Sequence, residues 1–342
     1  MDDGNRPRVA VIGAGHRGRG WAALALSRGW AVSLYDPESA LLQRAAPAVS
    51  ERVRRLTDFG RADPLAAAGA RALLVVGRSL LHSVGEADLV FDALPADLAG
   101  RQRLLEQIEQ VARPDAILVS LTGSMHASAL SARLRRPERH LVAFALDPVE
   151  MVPLVEIVPG PHTALGVTEQ VKEWFTRLNR QPVVLQREVT GNASGRILAA
   201  VWRECIDLVL EGVVELGDVD LLVSRGPAAA LAAAGPNLLQ VMGAGAQGTE
   251  YFIGEALQAH ETLWGQLASW ETLSGEDRHR LIRLIERTYR TAPGELRAER
   301  DKFLARLLGA MEERPSGLFD LPDLTDLPDE LDEPAAEPPQ RE

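Results

Sequence analysis

The stretch RVAVIGAGHRGRG, residues 8–20, confines this chain to few folds. An apolar run enters Gly13-Ala14-Gly15-His16-Arg17-Gly18, and a helical pattern leaves it. G-x-G-x-x-G between a strand and a helix is the phosphate-binding turn of a doubly wound α/β sheet. The first glycine permits the tight turn, the second lets backbone approach a pyrophosphate, and the third lets helix and strand pack closely. The helix start, with His16 and Arg17 on it, adds unpaired N–H groups that meet phosphate. Asp36 ends the next strand, 18 residues beyond Gly18. A carboxylate there accepts both ribose hydroxyls and repels a 2′-phosphate, so the expected cofactor is NAD rather than NADP. Arg17 and Arg19 soften that preference without replacing Asp36.

Further apolar runs alternate with helical stretches: WAVSLYD, ALLVVG, DLVFDAL, AILVSLT, VAFAL, VPLVEIV and QPVVLQ read as strands. Helices are expected over 18–28, 37–57, 96–112, 125–134 and 167–178. Such alternation specifies a Rossmann-type, doubly wound parallel sheet, placed in residues 1–188. Beyond it strand signals stop. RILAAVWRECIDLVLEGVVE repeats its apolar residues every 3.6 positions and is more apolar than one surface face requires. Helices follow at 278–290 and 295–311, and GPAAALAAAG, rich in the strongest helix former, reads as a helix or a pocket wall. An all-helical domain over 189–314 is expected. Residues 315–342, rich in proline and acid, bury too little apolar area to offset chain entropy and read as a disordered tail.

Composition narrows the function. The chain of 342 residues carries a net charge of −11, so a basic nucleic-acid-binding face is not expected. Its single cysteine, Cys205, excludes an internal disulfide and a thiolate metal cluster. No metal site is expected. No run reaches the roughly 18 apolar residues of a membrane span. The first residues lack a signal peptide's pattern. A soluble, cytoplasmic protein is the expectation.

The segments VIGAGHRGRGWA, DALPADLAGRQRLLEQI, VPLVEIVPGPHT, GRILAAVWRECIDLVLEGVV and DVDLLVSRG together resemble the L-3-hydroxyacyl-CoA dehydrogenase family, nearest its lambda-crystallin and L-gulonate 3-dehydrogenase branch. The resemblance implies an NAD domain, a helical domain that makes a homodimer, and reversible oxidation of a secondary alcohol at the β carbon of an acyl thioester or small acid. It also implies a histidine base held by a glutamate, with a serine and an asparagine on the substrate oxygen. Glu156 matches the glutamate. The histidine position holds Phe144, the serine position Gly123, the asparagine position Gly195, and the branch's carboxylate-binding arginine position Ala230. Arg196 and Asp147 match the family's arginine and the asparagine of its Asn-Pro turn. Thr122 flanks the strand-end motif, Asp92 falls near the nicotinamide ribose, and Arg101 replaces a lysine near the cofactor.

Phenylalanine transfers no proton, and glycine offers no side-chain donor. A buried carboxylate needs a partner. Glu156 is therefore either a proton donor, raised by desolvation, or ion-paired with Arg196. Asp147 and His126 are further candidate donors. Ser124 is either a substrate ligand or the cap of the helix after it. Two functions compete: an NAD(H)-dependent oxidoreductase of a β-hydroxy or β-keto substrate, for which the resemblance also admits a bulky, apolar ketone such as a polyketide intermediate in the reductive direction, and an NAD-binding homologue without activity and with a structural or regulatory role.

Overall fold

A computed structural model describes residues 6–313 except 252, 255 and 256. The tail expected over 315–342 lies outside the described residues. The chain divides into two compact units, residues 1–203 and 204–342.

The first unit contains β1 (Val9–Ile12), β2 (Val32–Tyr35), β3 (Leu74–Val76), β4 (Leu89–Asp92), β5 (Ile117–Leu121), β6 (His140–Phe144), β7 (Leu154–Pro159) and β8 (Gln181–Val184). They form one sheet in the order β3-β2-β1-β4-β5-β6-β7-β8. Parallel pairing runs from β3 to β6, β7 pairs antiparallel with β6, and β8 pairs parallel with β7. The last two strands thus reverse the expected all-parallel direction. Only residues 145–153 join β6 to β7, too few for the crossover of a dozen or more residues that a parallel return needs.

Its helices are α1 (His16–Leu26), α2 (Ser39–Gln43), α3 (Ala45–Asp58), α4 (Pro64–Leu73), α5 (Leu80–Val84), α6 (Leu98–Val111), α7 (Ala127–Ser131), α8 (Leu165–Arg177) and the start of α9 (Asn192–Leu210). Strand residues alternate between two cores. Val9, Val11, Leu89 and Phe91 join Trp21 and Phe175 on one face, while Ala10, Ile12, Val90 and Leu118 join Leu105 and Ile108 on the other. The Trp21 ring lies 5.1 Å from Phe91 and 5.4 Å from Phe175, centroid to centroid.

The helix expected over 37–57 is two helices, broken at Arg44. Pro47 explains the break: its ring clashes with the Gln43 carbonyl, yet it suits the first turn of a new helix. Helix α4 is absent from the sequence reading. Asp63 caps it by accepting the Ala66 N–H at 2.8 Å, with Pro64 at its first position.

The division between units falls inside α9. The second unit continues with α10 (Leu216–Arg225), α11 (Pro227–Ala234), α12 (Pro236–Ala244), α13 (Gly248–Tyr251), α14 (Leu257–Trp264), α15 (Gly275–Thr288) and α16 (Pro293–Glu312). Ala230, where a substrate arginine would stand, lies within α11. Val209, Leu216 and Val219 form a small core with Leu281 and Leu284. Many large apolar side chains remain outside it, among them Leu221, 58% exposed, Trp264, 56%, and Phe303, 57%.

One polar network crosses the sheet interior. Ser120 Oγ lies 3.2 Å from Asp92 Oδ2 and 3.1 Å from His140 Nε2, and Arg101 Nη1 donates to Asp92 Oδ2 at 3.1 Å. Burial, with Arg101 adding to it, lowers the His140 pKa from 6.5 to about 3. Burial raises the Asp92 carboxyl, against the opposing pull of Arg101, the Leu94 N–H and Ser120. A depressed histidine stays neutral in the fold while the unfolded chain binds a proton below about pH 6.5. Its contribution to stability is therefore complete above that pH and is lost as pH falls toward 3. Asp92 has the opposite sign, so the comparison must isolate the imidazole. Wild type should lose roughly 2–3 kcal/mol relative to His140→Gln between neutral pH and pH about 4.5, measured by urea unfolding at each pH.

Candidate active site

The order of strands reverses between β1 and β4, and ligands of open α/β sheets bind beside such a switch point, outside the carboxyl ends of the strands. Gly13 follows β1 there, with φ +117°. A Cβ on Gly13 would lie 2.8–2.9 Å from the backbone of Ala93 and Leu94, and one on Gly18 would lie 1.8 Å from the Gly13 carbonyl oxygen. Gly15 instead faces open space. Two glycines are thus fixed by packing and the middle one leaves room for a ligand, as a pyrophosphate cradle requires. Asp36, buried at the end of β2, accepts the Ala14 N–H at 2.6 Å and the Glu38 N–H at 2.8 Å. These residues fit NAD.

Asp92 and Arg101 are both buried and face each other. Arg101 Nη2 also donates to the Leu94 carbonyl at 2.9 Å, and the Leu94 N–H points to Asp92 at 3.3 Å. As placed, the pair fixes the backbone that presses on Gly13. His16 and Arg17 point away from the turn they decorate. Arg17 Nε donates to Asp147 Oδ2 at 3.3 Å, and its guanidinium lies over the Phe144 ring, 5.9 Å from the centroid. Arg52 Nη2 lies 2.8 Å from His16 Nδ1, which must be the acceptor, so Nε2 carries the proton and faces Asp147 at 3.9 Å. Arg52 also pairs with buried Glu150. Partial burial and repulsion from Arg52 lower the Arg19 pKa. Neither Arg52 nor Glu150 stood out in the sequence, because their contacts span 36 and 98 positions.

Beyond β5 and β6 lies the chamber where the proton chemistry belongs. Glu156 on β7 is 2% exposed and sits in register opposite Phe144. Its partner is the start of α9. Oε2 accepts the Ala193 N–H at 3.0 Å, Oε1 accepts the Ser194 N–H at 2.6 Å, and the Ser194 hydroxyl also donates to Oε1. The expected ion pair with Arg196 does not form. Asn192, buried with φ +52°, reaches the Thr122 carbonyl at 3.5 Å.

The Phe144 ring packs against Gly123. A Cβ on Gly123 would lie 2.7–2.9 Å from its ring carbons, whereas one on Gly195 would lie at 3.9–4.0 Å, an ordinary contact. Phenylalanine and glycine at 144 and 123 are therefore one coupled change, while position 195 is free to carry a side chain. Ser124 does not cap the following helix. Its N–H donates to Thr122 Oγ1 at 3.2 Å, and α7 begins after His126, with no side-chain cap. His126 Nε2 instead lies 3.2 Å from Thr190 Oγ1. Ser194 was missed in the sequence; a serine ahead of a long apolar-periodic run was its only local signal.

Comparison with known proteins agrees with the cofactor site. Residues 8–189 match the family described as 3-hydroxyacyl-CoA dehydrogenase, NAD binding domain. An L-carnitine dehydrogenase of Bacillus cereus is 29% identical over 89% of this chain and 92% of its own. The lambda-crystallin homolog of Bos taurus is 35% identical over 70% of this chain and 74% of its own. Among solved structures, 5-formyl-3-hydroxy-2-methylpyridine 4-carboxylic acid 5-dehydrogenase, an NAD+ dependent dismutase, superposes with a TM-score of 0.78 at 25% identity, over 91% of this chain and 100% of that one. The chain belongs to the 3-hydroxyacyl-CoA dehydrogenase family and is an NAD-dependent dehydrogenase.

The coupling at Phe144 is measurable. Gly123→Ser alone should destabilise the protein by about 1–3 kcal/mol through overpacking against the ring. In a Phe144→His background the same change should cost less than about 0.5 kcal/mol. Equal costs in both backgrounds, from denaturant melts of the four proteins, would show the two positions to be independent.

Proposed function

We propose that the protein is an NADH-dependent reductase of a bulky, apolar β-keto compound, of the kind found among polyketide intermediates. The observation that carries this reading is the Phe144 ring seated over Gly123 and beside Gly195. Those three positions give the chamber an aromatic wall and remove three polar side chains, which suits a flat apolar substrate better than a short acid. Similarity to a dehydrogenase named for a substituted pyridine supports an aromatic substrate. Bound NADH would supply the hydride. Gly15 and the start of α1 would hold its pyrophosphate, and Asp36 its ribose. His16, Arg17 and Arg52 fix the Asp147 loop beside the chamber.

Among the described residues no imidazole stands opposite Glu156, where Phe144 does, so the proton must come from another group. We further propose a homodimer formed through the helical unit, supported by its exposed Leu221, Trp264 and Phe303, and a cytoplasmic location. No helix among the described residues is long and apolar enough to cross a membrane.

The discriminating measurement is NADH consumption across a panel: aryl and polycyclic β-ketones, short 3-ketoacyl-CoA thioesters, L-gulonate and L-carnitine with NAD. Bulky ketones should turn over, with NADH preferred over NADPH. The short substrates and alcohols should be about 10²- to 10⁴-fold slower, the usual worth of general acid–base help. Faster turnover of the short substrates would overturn the substrate assignment. Stoichiometric NADH binding with no consumption anywhere on the panel would overturn the reductase reading.

A further inference from the structure

We propose that Ser194 and Glu156 form the proton relay of this site, the hydroxyl passing protons between the substrate oxygen and the buried carboxylate. The inference rests on the reading of the protein as an active reductase and names the group that replaces the imidazole. Glu156 is closed off from solvent, and its partners are two backbone N–H groups and one hydroxyl. A backbone amide does not exchange its proton on a catalytic timescale, so among the described residues the Ser194 hydroxyl is the group through which a proton can reach or leave Glu156. Ser194 is itself half-buried and adjoins Gly195, whose bare Cα faces the Phe144 ring. The hydroxyl therefore rests on the carboxylate, one residue from the position that meets the Phe144 ring.

The other candidates are engaged elsewhere. His126 is bound to Thr190, Asp147 is held by Arg17, and exposed Ser124 pairs with Thr122. Serine alone is too weak an acid to protonate an alkoxide at useful rates. Coupled to a carboxyl group it needs no free alkoxide of its own, because it gives one proton as it takes another.

The step balances as follows. The carbonyl carbon gains the hydride and the C=O π pair passes to oxygen. That oxygen takes the Ser194 Oγ proton while Ser194 takes the proton of the Glu156 carboxyl group. Glu156 is left as carboxylate, and its proton returns through the Ser194 hydroxyl from water that enters when the product leaves. Oxidation of the alcohol runs the same transfers in reverse.

Ser194→Ala keeps both N–H bonds to Glu156, so the fold should persist, with a thermal midpoint near wild type. On the best ketone of the panel, kcat should fall about 100-fold or more. NADH affinity, from fluorescence titration, should stay within about twofold. Ser194→Thr, which restores the hydroxyl, should recover kcat to within about tenfold of wild type. Near-isosteric Glu156→Gln should show the same kcat loss, so a folding failure of either variant leaves the other to decide. Wild-type turnover with Ser194→Ala or Glu156→Gln within about threefold of it would overturn the relay and leave the reductase standing. An inactive wild type would overturn both.

Discussion

A carboxylate buried in a sheet must be matched by donors or its burial costs several kcal/mol. Here the match is the amino-terminal end of α9, which presents two backbone N–H groups and the Ser194 hydroxyl to Glu156. The first turn of a helix has N–H groups without intrahelical partners, and its dipole favours negative charge. One contact thereby satisfies a buried charge, completes a helix end and fixes the approach of α9 to β7. The residues that follow in α9 inherit their positions from it, including Gly195 beside the Phe144 ring.

With the carboxylate held this way, Glu156 needs no imidazole as a partner. A glutamate whose only partner had been a histidine would be stranded by phenylalanine. Ser194 and its neighbour's N–H supply replacement donors from the other side. The phenyl ring then occupies the room that a serine at 123 would need, so the glycine there follows from the ring. Of the positions that depart from the resemblance, Phe144 and Gly123 thus form one packed pair, while a side chain at 195 would make only ordinary contacts.

The sheet was legible because its central strands β1, β4 and β5 are buried on both faces and its strands stand between glycines, prolines and polar turns. All eight strand segments and the order of the helices around them follow from that pattern. Local rules also accounted for the misses: Pro47 splits α2 from α3, and Asp63-Pro64 starts α4. The site was only half legible. Gly13, Gly15, Gly18 and Asp36 lie within one βαβ unit, where spacing in sequence maps onto spacing in structure. Glu156 and Ser194 are 38 positions apart, and His16 and Arg52 are 36 apart. Such pairs depend on how the elements pack, which no short window of sequence contains. The sequence offered Arg196 as the partner for Glu156 because charge suggested it; geometry chose backbone donors two and three positions earlier.

The same long-range contacts join the two halves of the site. His16 and Arg17 sit on the glycine turn, yet their side chains hold Asp147 in the loop between β6 and β7, and Arg52 ties His16 to Glu150 in that loop. Arg17 also covers the ring of Phe144. Through these groups the phosphate cradle and the aromatic wall share one set of charges. A purely apolar chamber would have no such link to the cofactor turn.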